Sequence, residues 1–427
     1  MKMKSAVLLK KVTIIDPNSP FNKEMKDVLI EKGMIVSIKN EIKPSSNAVV
    51  IEEEGLHICP GLFDLMVDFS EPGNEHKETL ISGCNASMYG GFTGVGLVSN
   101  QEPARDNKSA VEFCINKTAE HLVEVHPYGT VSKEKKGKEL AEMHDLKQAG
   151  AVGYFDGKNS VSSAGLMSRA LLYTKNFNGL VFSFAYDTSL SPNGQMNESA
   201  VSTKLGLEGI PSIAEELQLS RDLFLTSYND AKIHFSTIST EASSAMLLEA
   251  KENNINVSSS VAIHNLILTD DSLQDFDSNY KVLPPLRSKD DQVALIKGLK
   301  SGIIDVITSD HTPEDTESKK MEFSIANFGI IGTQTAFPLA VTHLQKELGL
   351  EEIVVKMAIN PRTILQLDLP IINEGFKANI TIFNPNSSAK FNKEINQSLS
   401  NNSPFLDSSF TCKVIGVVNG EKYHLNE

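Results

Sequence analysis

Between residues 59 and 311 the chain alternates short β-branched runs with stretches whose apolar residues recur every three or four positions. The runs are Phe63 to Phe69, Thr93 to Ser99, Val123 to Gly129, Ala151 to Phe155, Leu180 to Tyr186, Lys232 to Ile238, Ile255 to Ile263 and Asp305 to Asp310. Runs of this length bounded by Gly, Asn and Asp predict strands, and the intervening periodicity predicts helices, for example Ile213 to Leu225 and Asp291 to Lys300. Repeated βα units imply a parallel sheet. Eight of them predict an α/β fold, a closed (β/α)8 TIM barrel whose functional side chains gather at the carboxyl ends of the strands.

The two ends of the chain read differently. Ala6 to Ile15, Val28 to Ile38, Ala378 to Asn384 and Lys413 to Val418 are strand-like and separated by Gly, Asn and Pro turns. They predict a small β-sandwich built from both termini, residues 1–58 and 370–427, with the barrel, residues 59–369, inserted between them. The stretch Thr312 to Phe328 is polar with few apolar anchors and is expected to be a mobile loop over the barrel mouth.

Composition narrows the function classes. The 427 residues carry a net charge of −14 and no basic cluster beyond Lys133 to Lys138, read as a solvated loop or helix start, which argues against nucleic-acid or anionic-membrane binding. No apolar run approaches the ~20 residues that span a bilayer, and no signal-peptide apolar region follows the first lysines, so a cytoplasmic location is the expectation. Cys59, Cys84, Cys114 and Cys412 lack paired spacing and read as core thiols.

Candidate chemistry concentrates in residues 61 to 73, Gly-Leu-Phe-Asp-Leu-Met-Val-Asp-Phe-Ser-Glu-Pro-Gly. Asp64, Met66 and Asp68 lie two apart and share one face of the first strand. By the same parity Thr237 goes with Ile233, which would turn His234 away from the barrel axis, as a core or helix-facing histidine. Further segments stand in order along nearly the whole chain: Glu75-His-Lys-Glu-Thr79, Gly90-Gly-Phe-Thr93, Gly150-Ala-Val152, Met196-Asn-Glu198, Leu205 to Pro211, Pro284-Pro-Leu-Arg287, Asp310-His311, Phe328-Gly-Ile330 and Thr335-Ala-Phe-Pro338. Together they resemble the dihydroorotases of the amidohydrolase superfamily, multifunctional-complex type, in which the first-strand segment runs Gly-Phe-x-Asp-x-His-x-His-x-Arg-Glu-Pro-Gly.

The resemblance implies zinc held by a histidine pair on strand 1, a carboxylate or modified lysine on strand 4, histidines on strands 5 and 6, and an aspartate on strand 8. The corresponding positions here are Met66, Asp68, Asp156, Phe184, Thr237 and Asp310. Only Asp156 and Asp310 keep the family's residue type, and a zinc site wants imidazole or thiolate in most positions. Apolar packing is expected in place of the ion, with Met66 against Phe184, and the ligand set implies no metal. Without one, water keeps a pKa near ~15.7 instead of ~7, roughly 10 kcal/mol that Asp310 as a lone base would not supply. The substrate side is altered as well: the family's arginine is Ser70, an asparagine is Leu283, and a histidine is Glu314, whose charge is expected to repel an anion, while Asn100 and His311 remain as substrate-binding positions.

Two functions are thereby set against each other. One, which the resemblance to this family implies, is an inactive homologue, a pseudoenzyme of pyrimidine synthesis kept as a homodimer and as a structural or regulatory partner of aspartate carbamoyltransferase. The other is a working cyclic-amide hydrolase whose Asp68, Asp156 and Asp310 bind a hard cation through oxygen.

Overall fold

The computed structural model describes residues 6–426. Seven of the eight barrel strands form as expected, at Leu62–Val67, Phe92–Leu97, Glu124–Pro127, Val181–Phe184, Ile233–Ser236, Val257–Ala262 and Val306–Thr308. The fourth, expected over Ala151 to Phe155, shrinks to bridges at Tyr154, which pairs with Gly129 on one side and Val181 on the other. All other neighbours pair in parallel. The ring closes where Val67 bridges His311 and the Asp68 amide donates to the His311 carbonyl at 2.8 Å.

Strand parity sorts the side chains into two cores. Val181, Ile233, Phe235 and Val261 point outward and pack with helix residues such as Leu219, Leu247 and Leu299. Tyr128, Phe155, Phe182, Phe184 and Val306 point inward and fill the barrel, joined by both Phe63 and Met66 of the first strand, where the register shifts between Asp64 and Val67 and the alternation breaks. The helices start where the sequence supplies caps: Ser288 accepts the Asp291 amide at the start of Lys289–Lys300, and Thr240 caps Glu241–Glu252.

The terminal strands join one eight-stranded sheet around its own apolar core, to which both ends of the chain contribute, for example Val7, Val28, Ile380 and Val418. Within it the run Val28 to Ile38 is a hairpin rather than one strand, Met25–Glu31 against Met34–Lys39. Lys32 and Gly33 both have positive φ, 48° and 75°, the conformation a tight two-residue connection needs. A Cβ on Gly33 would meet the Gly420 backbone at 2.7 Å, so the close approach of the C-terminal hairpin also demands glycine there. All four cysteines are free and buried.

Thr312 to Phe328 is no structureless loop. It contains a short helix, Thr316–Lys319, and two buried lysines pin it: Lys281 Nζ donates to the Phe323 carbonyl at 2.7 Å, and Lys319 Nζ to the Asn327 and Gly329 carbonyls at 2.9 and 3.1 Å. Burial lowers both lysines to a pKa of about 8. A third tie comes from the C-terminal region, where Asn402 donates to the Thr312 carbonyl and accepts the Glu314 amide. These anchors are not legible along the chain, because the lysines and Asn402 are held chiefly by backbone groups of other segments.

Candidate functional site at the barrel mouth

At the carboxyl ends of the strands lies a cleft of about 390 Å³ lined by Lys158, Leu283, Asp310, Glu314, Lys281 and Phe328 among others. Its floor is organised by a residue the sequence reasoning overlooked. Lys158 follows Asp156 and Gly157 at the end of the fourth barrel position, and its ammonium donates to both carboxylate oxygens of Asp310 at 2.8 Å and to the Leu283 carbonyl at 2.5 Å. Three protons meet three acceptors. The same ammonium stands 5.0 Å from the Phe184 ring centroid, a cation–π distance. Burial raises the Asp310 carboxyl above the ordinary range, and Lys158 pulls against that rise. Gly157 places the lysine: its φ is +65°, and a Cβ there would fall 1.8 Å from Asn100 Oδ1.

Of the other expected ligand positions, Phe184 lies beside the Lys158 ammonium and the charge of Asp68 adds to the rise of the Asp310 carboxyl, but the set as a whole does not gather around Asp310. Asp156 spends its carboxylate on the opposite task of holding a turn, accepting the Val131 and Ser132 amides at 2.7 and 3.1 Å and the Ser132 hydroxyl at 2.5 Å. Asp68 is half-buried, and desolvation raises its carboxyl; it accepts the Ser70 amide at 2.7 Å and a hydrogen bond from Asn100. Met66 and Phe184 belong to the apolar cluster inside the barrel, and Met66 Sδ lies 3.6 Å from the Ser236 hydroxyl. Thr237 is buried with its hydroxyl unpartnered. Among the described residues no three His, Cys, Asp or Glu side chains are grouped to hold a metal ion. This donor set does not fit the family's zinc, because thioether, phenyl and a lone threonine hydroxyl replace imidazole, and the remaining aspartate is already bound to an internal cation.

Several expected placements are corrected. His234 is a buried core residue, but it faces into the barrel: it pairs with Phe182 across the strands, its ring lies 4.9 Å from the Phe182 ring, and its nitrogens meet Ser258 and Ser260 hydroxyls at 2.8 and 3.1 Å. Parity failed because the strand ends at Ser236 and Thr237 takes φ +51°, so the alternation does not run on to Thr237. His311 is not on the cleft. Its Nδ1 accepts the Gly332 and Thr333 amides at 3.1 and 3.4 Å while Nε2 stands 3.5 Å from buried Glu78. Glu314 does line the cleft, yet it repels little, since Lys77 neutralises it at 2.8 Å and Asn327 donates to it at 3.0 Å. Asn100 stays at the rim beside Asp68 and Gly157. His264, at the end of the seventh strand, was also missed; it is buried with neither ring nitrogen partnered, and burial, with Lys158 adding to the effect, lowers its pKa to about 3.

Motifs that survive around this altered site are bound to one another. Arg287 donates to Asn197 Oδ1 at 2.9 Å, to the Ile210 carbonyl at 2.7 Å and to the Ser239 hydroxyl at 3.1 Å, joining three separate segments of the chain. Glu215 accepts the Ser239 and Thr240 amides beside it at 2.8 and 3.2 Å.

Comparison with known proteins agrees with this picture of the scaffold. Residues 55–243 match the family model described as dihydro-orotase-like. A dihydroorotase of Acetivibrio thermocellus is 40% identical over 404 residues, covering 93% of this chain and 94% of the relative. The chain belongs to the dihydroorotase family. A second dihydroorotase, from Geotalea daltonii, is 37% identical over 421 residues, 98% of this chain and 99% of its own. Among solved structures, the L-hydantoinase of Arthrobacter aurescens superposes with a TM-score of 0.85 over 100% of this chain and 98% of its own at 18% identity, a likeness of fold alone. The dihydropyrimidinase of Brevibacillus agri gives 0.81 at 20% identity over 99% and 95% of the two chains. This dihydroorotase-like chain thus keeps the amidohydrolase barrel and the added terminal sheet while its mouth carries Lys158 on Asp310. No helix among the described residues is long and apolar enough to cross a membrane.

Proposed function

We propose that this dihydroorotase-like protein does not hydrolyse dihydroorotate and serves pyrimidine synthesis as a cytoplasmic structural or regulatory partner of aspartate carbamoyltransferase, itself a homodimer. The observation that carries the reading is Lys158, whose ammonium takes both oxygens of Asp310, the one strand-8 carboxylate that the family uses as ligand and base. An internal cation there repels a divalent ion, takes one lone pair on each Asp310 oxygen and stabilises the charged carboxylate, which weakens it as a base. The hard-cation hydrolase finds no support in the geometry, because Asp156 is spent on backbone amides. Retention of the Arg287 network fits a molecule selected for its folded surface.

The test has two arms. The protein is purified from zinc-supplemented medium, its metal content is measured, and dihydroorotate ring opening and closure are assayed. The expected outcome is sub-stoichiometric zinc and no turnover above background; near-stoichiometric zinc with turnover overturns inactivity. In the second arm the chain is co-expressed with aspartate carbamoyltransferase and run over a sizing column. Co-elution supports the partner role, and separate elution with unchanged carbamoyltransferase activity removes it.

A further inference from the structure

The helix Ile213–Asn229, on the outside of the barrel, buries one face through Ala214, Gln218, Leu219, Asp222, Leu223 and Thr226. Its opposite face is unusually apolar for solvent: Ile213, Leu217, Phe224 and Tyr228 are 53%, 50%, 76% and 85% exposed. At 100° per residue these four side chains and Ser220 fall within an arc of about 80°, a stripe roughly 22 Å long. Few charges adjoin it. Arg221 is drawn aside by the Val161 and Ser162 carbonyls and Asp222, Glu216 borders the stripe half-buried, and the exposed Glu249 of the neighbouring helix Glu241–Glu252 lines the notch beside Phe224.

We infer that this stripe is the two-fold interface with a second copy of the chain. The stripe is symmetric about its own midpoint. Taken from a point between Ser220 and Arg221, Leu217 and Phe224 are equidistant along the helix, and so are Ile213 and Tyr228. An isologous interface requires one patch to complement itself. Two antiparallel copies crossing at that point set Leu217 against Phe224 of the partner subunit, and Ile213 against the partner's Tyr228, with small Ser220 allowing close approach at the axis. A notch of about 290 Å³ beside the stripe, lined by Ser220, Phe224, Met246 and Ile255, gives a partner aromatic somewhere to enter. With Leu172 (54%) and Leu248 (41%) on the flanking helices, the exposed apolar side chains present roughly 650 Å², about four fifths of the ~800 Å² per partner of a stable dimer, the remainder falling to the polar rim that surrounds such an apolar centre. A net charge of −14 also makes an uncharged stripe the kind of face through which like copies approach. The inference deepens the homodimer of the proposed function by naming its surface.

The test uses light scattering and sedimentation of the full chain from 1 to 100 µM, on the native protein, Phe224→Asp/Tyr228→Asp, and Ser220→Cys. The native cysteines are buried, so Ser220→Cys carries the one exposed thiol, and Ser301→Cys, on another helix end, is the control. We expect a native dimer, a roughly 100-fold or greater rise in its dissociation constant in the double variant with an unchanged melting temperature, and cross-linking of Ser220→Cys but not Ser301→Cys by a short bis-maleimide. A monomeric native protein, a dimer that survives the double substitution, or a stripe protected only on adding aspartate carbamoyltransferase overturns it. Zinc content and dihydroorotate turnover, read on the same preparations, report separately on inactivity.

Discussion

Replacing Lys158 by methionine removes the internal cation at nearly constant side-chain volume. It leaves the Asp310 carboxylate, whose side chain is 6% exposed, without its partner and the Leu283 carbonyl without a donor. Removing one member of a buried pair costs about 3–5 kcal/mol. Lys158 is 22% exposed, so water reaches part of the vacated space and the lower end, about 3 kcal/mol, is expected. Substituting both members, Lys158→Met with Asp310→Leu, removes the stranded charge as well, and stability should return to within about 1 kcal/mol of native. The pair then shows a coupling energy of roughly 2 kcal/mol or more. Urea unfolding followed by circular dichroism at pH 7.5 measures all four corners of the cycle, and repeating it in 1 M salt should change the coupling little, because the pair is largely shielded from ions. A single substitution that costs under about 1 kcal/mol, or a double that costs the sum of the singles, refutes the idea that Lys158 holds the mouth together in place of a metal.

Activity should not return easily: Met66→His with Asp68→His rebuilds only the strand-1 ligands, and turnover in a dihydroorotate assay would show that the missing ligands lie elsewhere. Acid should destabilise the fold early. His234 and His264 are held neutral by burial with pKa values of about 3, below the ~6.5 of an unfolded histidine, so between those values the unfolded state binds more protons and stability rises with pH, each group costing on the order of 2 kcal/mol at pH 5 relative to pH 7. A flat urea midpoint from pH 7 to 5 would contradict that. Arg287→Leu should destabilise by about 3–5 kcal/mol through the stranded Asn197 and Ile210 oxygens and the nearby Glu215, read as a fall in urea midpoint; a loss below about 1 kcal/mol would mean that the surviving motifs are not joined through this side chain. Gly157→Ala, forced to φ +65° against Asn100, should lower the melting temperature and, if Lys158 is displaced, abolish its energetic coupling to Asp310.

What the sequence determined by itself was local or compositional. Seven strands and the helices between them follow from periodicity, since each element must bury one face, and the absent imidazoles at Met66, Phe184 and Thr237 are plain once the motifs align. The fourth strand was over-read because Ala151 to Phe155 has the right residues but pairs with its neighbours only through isolated bridges at Tyr154 and the few backbone hydrogen bonds around them. The tertiary structure decided everything that depends on two distant segments meeting. Lys158 and Asp310 are 152 residues apart, and nothing along the chain says that a lysine after Gly157 will reach the eighth strand. Lys77 neutralising Glu314, and the carbonyls that pin Lys281 and Lys319, are of the same kind. His234 marks the limit of parity: alternation holds while the backbone stays in the β region, and the left-handed turn at Thr237 ends it. Side-chain direction beyond that point is set by packing against Phe182, Ser258 and Ser260, because the free energy of burying a polar ring depends on which partners the closed barrel brings to it.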